Sequence, residues 1–353
     1  MRFTIATLCG LALGACAGRS ERAGTRAVTQ HIYVVNTESE SLSVIEHESA
    51  RVIDTIALGE RPHGQAPSSG DGRVYVTTDG EQGEVIAIDA KSRAIAWRLD
   101  VGGALNEPHL TRDARFLFAP DLLGARTAII DVKAQALVGE VSMRDPSDDS
   151  ALVALHNTYA SHDGTRMYVT AILSHKIAEI DVESRQLTRI FALSGAPRPA
   201  AITRDDRKMY VQLSDLHGFI ELDLETGEET ARVEWPDDGR RPPGYDAGPL
   251  LTKCHGIGLT PDGQELWAAS NIEGNVRVYS TPDLRELAVV TVGTMPNWIA
   301  FSRDGATAYV TNTDPAAGHG TVSVIDVRAR RVTATLAVGR APKRVHRIDI
   351  ARH

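Results

Sequence analysis

One short motif recurs seven times along the chain, and this repeat restricts the fold more than any other feature. Each copy begins with an aromatic residue, continues with small or β-branched residues and ends in a polar turn. The copies begin at Tyr33, Tyr75, Phe118, Tyr168, Tyr210, Trp267 and Tyr309. The intervals between these aromatic residues are 42, 43, 50, 42, 57 and 42 residues. Such a period indicates an array in which each repeat is one supersecondary unit.

Each repeat carries the pattern of four short strands. A second β-rich segment that ends near an acidic residue follows each motif, as at residues 86–89 and 323–326. A third segment follows, then a loop with Gly or Pro, a further strand and a polar turn such as Asp262-Gly263. Four antiparallel strands in this length are typical of a propeller blade.

The sequence therefore predicts an all-β fold, a seven-bladed β-propeller of four-stranded antiparallel blades. The run from Arg344 to Ile350 resembles an innermost strand without outer strands of its own. The run from His31 to Asn36 lacks an innermost strand before it. Pairing these N- and C-terminal strands in one blade would close the ring and remove free sheet edges.

Two motifs connect the chain to a known family. Tyr309-Val310-Thr311-Asn312 and the turn Pro261-Asp262-Gly263 resemble the YVTN β-propeller repeat family, over about residues 31–350. The resemblance implies the fold but no single function. Relatives of this kind include extracytoplasmic binding proteins, surface-layer proteins, and propeller subunits of amine dehydrogenases and haem-containing nitrite reductases.

The N-terminus is typical of an exported lipoprotein. Arg2 precedes a short apolar run, and Leu13-Gly14-Ala15-Cys16 resembles a lipobox. We predict a signal peptide at 1–15, lipidation of Cys16, a flexible tether at 16–29 and the propeller at 30–353. The absence of Asp after Cys16 favours an outer-membrane lipoprotein on the periplasmic side of the cell envelope. The alternative is an ordinary secretory signal with a chance cysteine.

Composition excludes some classes of function. The formal charge is −8, with acidic and basic residues interspersed, which argues against a nucleic-acid partner. Of the three cysteines only Cys254 would remain unmodified after export and lipidation, so no intramolecular disulfide is expected. We expect a monomer attached to the membrane through Cys16.

Aligning the loops that lead into the innermost strands places one nitrogen-bearing side chain at the same position in every blade. We expect these seven side chains to form a ring around one mouth of the central channel. They are His63, Asn106, His156, Arg198, His255, Asn297 and Lys343. Insertions near 142–153 and 236–253 should wall the same face. Loops that carry His175, His217 and His319 should also reach it.

Three interpretations of this ring stay open on sequence alone. The first is a solvated funnel lined by polar residues. The second is a Zn²⁺ or Cu²⁺ site made by His63, His156 and His255, with Cys254 favoured as a small buried residue and not a ligand. The third is a site for an anionic ligand. Its cationic groups would be Arg198, Lys343 and protonable histidines, with Asn106 and Asn297 as hydrogen-bond donors.

The leading functional hypothesis is a non-catalytic, lipid-anchored propeller that binds a small anionic ligand or a protein partner at this funnel. The rival is a metal-dependent enzyme, lyase- or hydrolase-like, or a redox-partner subunit that uses the three histidines. The sequence lacks Cys-x-x-Cys-His, a Walker loop, Gly-x-Ser-x-Gly and His-Glu-x-x-His. The sequence therefore contains no motif that identifies a cofactor.

Overall fold

The computed structural model describes residues 28–68, 70–80, 82–245 and 252–351. The predicted signal peptide and Cys16 lie outside the described residues. The described chain forms seven four-stranded sheets in which all neighbouring strands are antiparallel. The prediction of a seven-bladed all-β propeller is confirmed.

The innermost strand of each blade lines the central channel. These strands are β28 (Pro342–Ala351), β4 (Pro62–Ser68), β8 (His109–Leu110), β12 (Leu155–Ala160), β16 (Pro197–Ile202), β20 (Cys254–Leu259) and β24 (Pro296–Phe301). We number the blades 1 to 7 in this order.

The repeated aromatic motif forms the second strand of each blade. In the same order these strands are β1 (Val28–Asn36), β5 (Arg73–Thr78), β9 (Phe116–Pro120), β13 (Arg166–Ala171), β17 (Lys208–Leu213), β21 (Glu265–Ser270) and β25 (Thr307–Asn312). A short 3-10 helix at Thr37–Ser39 follows β1.

The third and outermost strands complete each blade. The third strands are β2 (Ser41–Glu46), β6 (Glu84–Asp89), β10 (Arg126–Asp131), β14 (Lys176–Asp181), β18 (Gly218–Asp223), β22 (Asn275–Ser280) and β26 (Gly320–Asp326). The outermost strands are β3 (Arg51–Ala57), β7 (Ile95–Asp100), β11 (Ala136–Ser142), β15 (Gln186–Ala192), β19 (Glu229–Glu234), β23 (Glu286–Thr291) and β27 (Arg331–Val338).

The core lies between neighbouring blades. The second and third strands are buried on both faces because each sheet is covered by the next, whereas the outermost strands expose alternate residues. All seven aromatic residues of the motif are buried. The Tyr33 hydroxyl donates to the Ala90 carbonyl of blade 2, so one of these residues also joins two blades through a hydrogen bond.

Both ends of the chain close the ring in blade 1. Strand β28 pairs with β1 from Val28 opposite Ala351 to Asn36 opposite Pro342. Blade 1 therefore takes its innermost strand from one end of the chain and its three outer strands from the other. This arrangement pairs the inner edge of β1, which would otherwise expose unpaired backbone groups.

Candidate functional site

The seven aligned side chains, here called the ring residues, occupy one equivalent position at the start of the innermost segments. The residue before each ring residue pairs with the end of the second strand, as Pro62 does with Thr78 and Pro296 with Asn312. In blade 3 an isolated bridge between Leu105 and Asp121 has the same role. The face of the propeller on which these segments begin is called the ring face below.

A break in strand register accompanies the ring residue in six blades and directs its side chain away from the ladder. The register between the first two strands shifts there in blades 1, 2, 4, 5, 6 and 7. A bulge leaves the extra residue unpaired and re-aims it. Gly256 follows one ring residue with φ of +103°, a backbone conformation that favours glycine.

The three ring histidines meet although their blades are not neighbours. The His63 and His156 ring centroids are 6.3 Å apart, and those of His156 and His255 are 5.6 Å apart, both edge to face. Blades 2, 4 and 6 are separated by blades 3 and 5, so these contacts must cross the channel. All three imidazoles are buried.

Two of these histidines have their Nδ1 atoms occupied. His63 Nδ1 lies 2.7 Å from Asp79 Oδ2, and Asp79 also accepts from Arg61 at 3.1 Å. His255 Nδ1 lies 2.8 Å from the Asn297 carbonyl oxygen, which can only accept. With Nδ1 as the donor in each pair, Nε2 keeps its lone pair. Burial and then the charge of Lys343 lower the pKa of His63 to about 4.

The other two histidines are held neutral for the same reason. Burial is the main cause that lowers the pKa of both His156 and His255 well below its usual value. The charges of Arg198 and Arg344 act in the same direction on both. The ring histidines are therefore uncharged at neutral pH and act as hydrogen-bonding groups or potential ligands.

Cationic side chains surround these imidazoles. Arg198 is buried, and its Nε donates to Ser214 Oγ at 2.7 Å. Burial and the neighbouring Arg344 lower the pKa of Arg198 to about 10 and that of Lys343 to about 8. Both groups stay protonated at neutral pH, so the ring face has a concentration of positive charge in an otherwise acidic chain.

A buried ion-pair network lies directly beyond the ring. Arg344 Nε donates to Glu107 Oε2 at 2.7 Å, and His346 Nε2 lies 2.9 Å from Glu107 Oε1. The Arg344 guanidinium also lies 4.3 Å from the Trp298 ring centroid. Burial raises the pKa of Glu107, but Arg344 and His346 outweigh it and hold that pKa below its usual value. The network links blades 1, 3 and 7.

Sequence reasoning missed this network, although a signal for it existed. The residues that follow the ring residues are Gly64, Glu107, Asn157, Pro199, Gly256, Trp298 and Arg344. Only two of them are ionisable, and their charges are opposite. Side chains at equivalent positions of a closed ring face one another across the channel. Two opposite charges at these positions can therefore form an ion pair.

The two insertions lie on the ring face. In the first, Asp145 accepts from Lys176 Nζ at 2.6 Å and Val153 N donates to Ser174 Oγ, which fixes the insertion on its own blade. In the second, a methyl group added at Gly244 would lie 2.9 Å from Pro315 Cβ of blade 7. The second insertion therefore reaches past blade 6. Residues 246–251 of it lie outside the described residues.

The remaining histidines of this face do not join the ring. His217 is buried, with Nδ1 2.9 Å from the Pro236 carbonyl and Nε2 2.8 Å from Ser270 Oγ. His175 and His319 are exposed. Cys254 is fully buried among backbone carbonyls, and burial raises the pKa of its thiol to about 12. A thiol of this kind is a packing residue.

The described residues contain no group of three or more His, Cys, Asp or Glu side chains arranged to hold a metal ion. The three ring histidines approach one another, but not as a closed coordination sphere. Within the same part of the chain, no helix is long and apolar enough to cross a bilayer.

A comparison with known protein families shows which family this propeller belongs to. The family described as "Outer membrane protein assembly factor BamB" matches residues 12–232, more than half of the 353 residues. The chain belongs to this family. The match extends from the N-terminal region into blade 5, and the remaining blades continue the same four-stranded pattern. No curated protein sequence matches the chain.

Solved structures share the fold of this BamB family member at low sequence identity. Hydrazine synthase of Kuenenia stuttgartiensis is 14% identical with a TM-score of 0.60, over 75% of this chain and 76% of that chain. Dihydro-heme d1 dehydrogenase NirN is 13% identical with a TM-score of 0.62, over 89% and 74%. A functionally unknown protein from Desulfotomaculum acetoxidans DSM 771 is 13% identical with a TM-score of 0.71, over 90% and 98%. These similarities concern the fold alone.

Proposed function

We propose that this chain is a non-catalytic binding propeller of the cell envelope that takes a small anion, a carboxylate or a phosphate, at the ring face. One observation carries the proposal: the Lys343 ammonium lies at the ring without a matching acid among the described residues. Lys343 forms no ion pair or hydrogen bond among the described residues. The two nearby acids are already engaged, Asp79 by His63 and Arg61, and Glu107 by Arg344 and His346.

An anion would complete this arrangement of charges. Asn106 Nδ2 is a buried donor with no partner among the described residues, and Lys343 supplies three N–H donors. Charge-assisted hydrogen bonds to an anion are stronger than those between neutral groups. The neutral histidines add no charge of their own, and His156, whose Nδ1 has no partner among the described residues, can offer an N–H to the anion.

Calorimetric titration of the purified chain with inorganic phosphate and with malonate tests this proposal. Lys343→Gln should weaken binding about tenfold or more, because a charge-assisted hydrogen bond is lost. Lys91→Gln removes the same charge at an exposed turn and is the matched control. Equal affinities of parent and Lys343→Gln, or no binding of either anion by the parent, would contradict the proposal.

A divalent metal is the second candidate ligand of the ring, and the Nδ1 hydrogen bonds favour it. Metal-binding histidines commonly donate the other ring N–H to a carboxylate or a carbonyl, as His63 and His255 do here. The His63–His156 and His156–His255 ring centroids are 6.3 and 5.6 Å apart and the described residues form no closed metal-binding group, so the side chains would have to rearrange to share one ion. A bound ion with an open position would support the lyase- or hydrolase-like alternative.

Metal analysis separates the two candidates. Zinc or copper bound in a 1:1 ratio, lost in His63→Ala and His255→Ala but kept in His175→Ala, would establish the metal site. His175 is a suitable control because it is exposed and outside the ring. A protein that binds neither ion and whose stability is insensitive to chelators would exclude it.

The envelope location is part of the same proposal. The family description names an outer-membrane assembly factor, and the lipobox-like Leu13-Gly14-Ala15-Cys16 and the YVTN-type motifs agree with an exported protein. Mass spectrometry of the membrane-bound protein should find Cys16 as a lipidated N-terminus. Cys16→Ser should move the protein to the soluble fraction. A mature N-terminus at a residue other than Cys16 would refute lipidation. It would not bear on the ligand of the ring face.

A further inference from the structure

A second cavity opens at the opposite end of the channel, away from the ring face. Its volume is about 720 Å³, within the range of small-molecule sites. The ends of the innermost strands of blades 2 to 6 and the turns that follow them enclose it. The inserted loops lie on the other face, and no sequence motif marks this cavity.

The wall of this cavity is mainly apolar. It is formed by Pro67, Leu110, Ala160, Ile202 and Leu259, one from each of the five blades. The convergence comes from the propeller symmetry, because the innermost strands end with an apolar side chain at similar depth. A concave apolar wall of this kind favours a ligand with an apolar body.

The cavity lining includes polar groups that can donate hydrogen bonds. The Tyr159 hydroxyl accepts from Ala200 N at 2.8 Å, which leaves its own proton available. The exposed side chain of His109 also lines the cavity. A ligand group that accepts hydrogen bonds would therefore find partners next to the apolar wall.

Two arginines at the rim lack acidic partners. Arg112 donates to the His162 carbonyl at 3.1 Å, and Arg204 donates to the Pro261 carbonyl. Neither guanidinium has a carboxylate within ion-pair distance among the described residues. The nearby Asp113 and Asp206 accept hydrogen bonds from Thr111 and His162 instead. Asp113 also lines the cavity, and the charge of Arg204 acts on Asp262, so the rim holds two guanidinium groups beside these carboxylates and the apolar wall.

We propose that this cavity binds an amphipathic organic acid, with its apolar body against the wall and its anionic group at the rim that carries Arg112 and Arg204. The proposal is independent of the ring-face ligand, since it uses other residues on the opposite face. The cavity has the volume to take a drug-sized ligand, larger than the small anion proposed for the ring.

Calorimetric titration of the full chain with butyrate, hexanoate, octanoate and 1-octanol tests this proposal. Affinity for the carboxylates should rise about three- to fourfold for each added CH₂ group, because each buries further apolar surface. Octanoate should bind about tenfold or more tightly than 1-octanol, because only the carboxylate pairs with the rim. Equal affinities for butyrate and octanoate, or for octanoate and 1-octanol, would overturn the proposal.

Variants locate the binding. Arg112→Ala with Arg204→Ala should weaken octanoate about tenfold and leave 1-octanol unchanged. Ala201→Trp, which places a large side chain on the wall, should remove both ligands. Arg240→Ala, an exposed arginine of the ring-face insertion, is the matched control. Octanoate binding that survives both the double variant and Ala201→Trp would contradict the proposed site.

The two proposals can fail separately. Lys343→Gln should leave octanoate binding unchanged, whereas the Arg112 and Arg204 variant should leave phosphate binding unchanged. Should Ala201→Trp lower the melting temperature, the double arginine variant remains the decisive test, because both side chains lie at the exposed rim. Loss of octanoate binding in Lys343→Gln would place that ligand at the ring and refute the second site.

Discussion

Individual charges at the channel matter because water cannot screen them there. Arg344 is 1% exposed and Glu107 is 3% exposed, and the two form one ion pair across the channel. A buried pair is costly to form, but removal of one member leaves the other charge without compensation. The same cation also lies over Trp298, so its position is fixed from two sides.

At this scale we predict that Glu107→Gln lowers the free energy of unfolding by about 3 to 5 kcal/mol, since Arg344 would keep a buried, unpaired charge. Urea denaturation followed by circular dichroism measures the change. Glu140→Gln is the control, because Glu140 pairs with Arg126 at 3.1 Å while it is exposed. That control should change stability by about 1 kcal/mol or less. A Glu107→Gln variant as stable as the parent would show that the pair contributes nothing.

Among the elements, the turns between the first two strands repeat one hydrogen-bond pattern. A Ser or Thr hydroxyl donates to an Asp two residues later, as Thr260 does to Asp262 at 2.6 Å. The same carboxylate accepts a backbone N–H two residues further on, from Gln264 in this turn. The equivalent carboxylates are Asp113, Asp163, Asp205, Asp262 and Asp304.

These bonds make the turns sensitive to acid. The hydroxyl hydrogen bond is the main cause that lowers the pKa of each of the five carboxylates, to about 2 for Asp163. A carboxyl whose pKa is lowered by folding stabilises the native state at pH values above about 3.9, which is its pKa in the unfolded chain. That stabilisation is lost as pH falls through the folded pKa.

We therefore predict that the urea midpoint already falls as pH drops below about 6.5, because buried histidines with lowered pKa values, such as His63, take up protons on unfolding. The turn carboxylates add a further fall between about pH 4 and pH 2. Urea denaturation at a series of pH values measures it. The variant Asp262→Asn keeps the shape of one turn but cannot titrate, so its loss of stability over the same pH interval should be smaller. A parent midpoint that does not change below pH 4 would be inconsistent with this account.

The whole molecule depends on the closure of blade 1. Strand β28 supplies the innermost strand of that blade and also packs against the innermost strands of blades 2 and 7. Val345 and Ile348 of this strand are fully buried. Without it, β1 would have an unpaired edge and the ring would be open.

At the molecular scale we predict that a chain without residues 340–353 loses cooperative thermal unfolding. A synthetic peptide of residues 340–353 should restore it, because the strand can pair with β1 from a separate chain. A peptide of the same composition in scrambled order is the control. Melting curves by circular dichroism provide the measurement. A truncated chain that unfolds in one transition at the parent's melting temperature would show that closure is not needed.

Much of this architecture was predictable from local pattern. The aromatic motif, the spacing of the strands and the terminal strands His31 to Asn36 and Arg344 to Ile350 correctly gave seven blades and their closure. The positions of the ring residues were also predictable, because each is separated from an aligned turn by the same number of residues. The contacts of those residues were not, since neither the pairing of His63 with Asp79 nor that of Glu107 with Arg344 follows from spacing alone.

By itself the sequence determined the number of blades, the strands in each and the position of the ring, because these depend on a period that repeats along the chain. Only the tertiary structure decided which ring side chains meet, how Glu107 and Arg344 neutralise each other, and that a cavity with an arginine rim lies on the opposite face. The physical reason is that closing the ring brings together residues from separate blades. Their burial and charge are set by that closure and not by their neighbours in sequence.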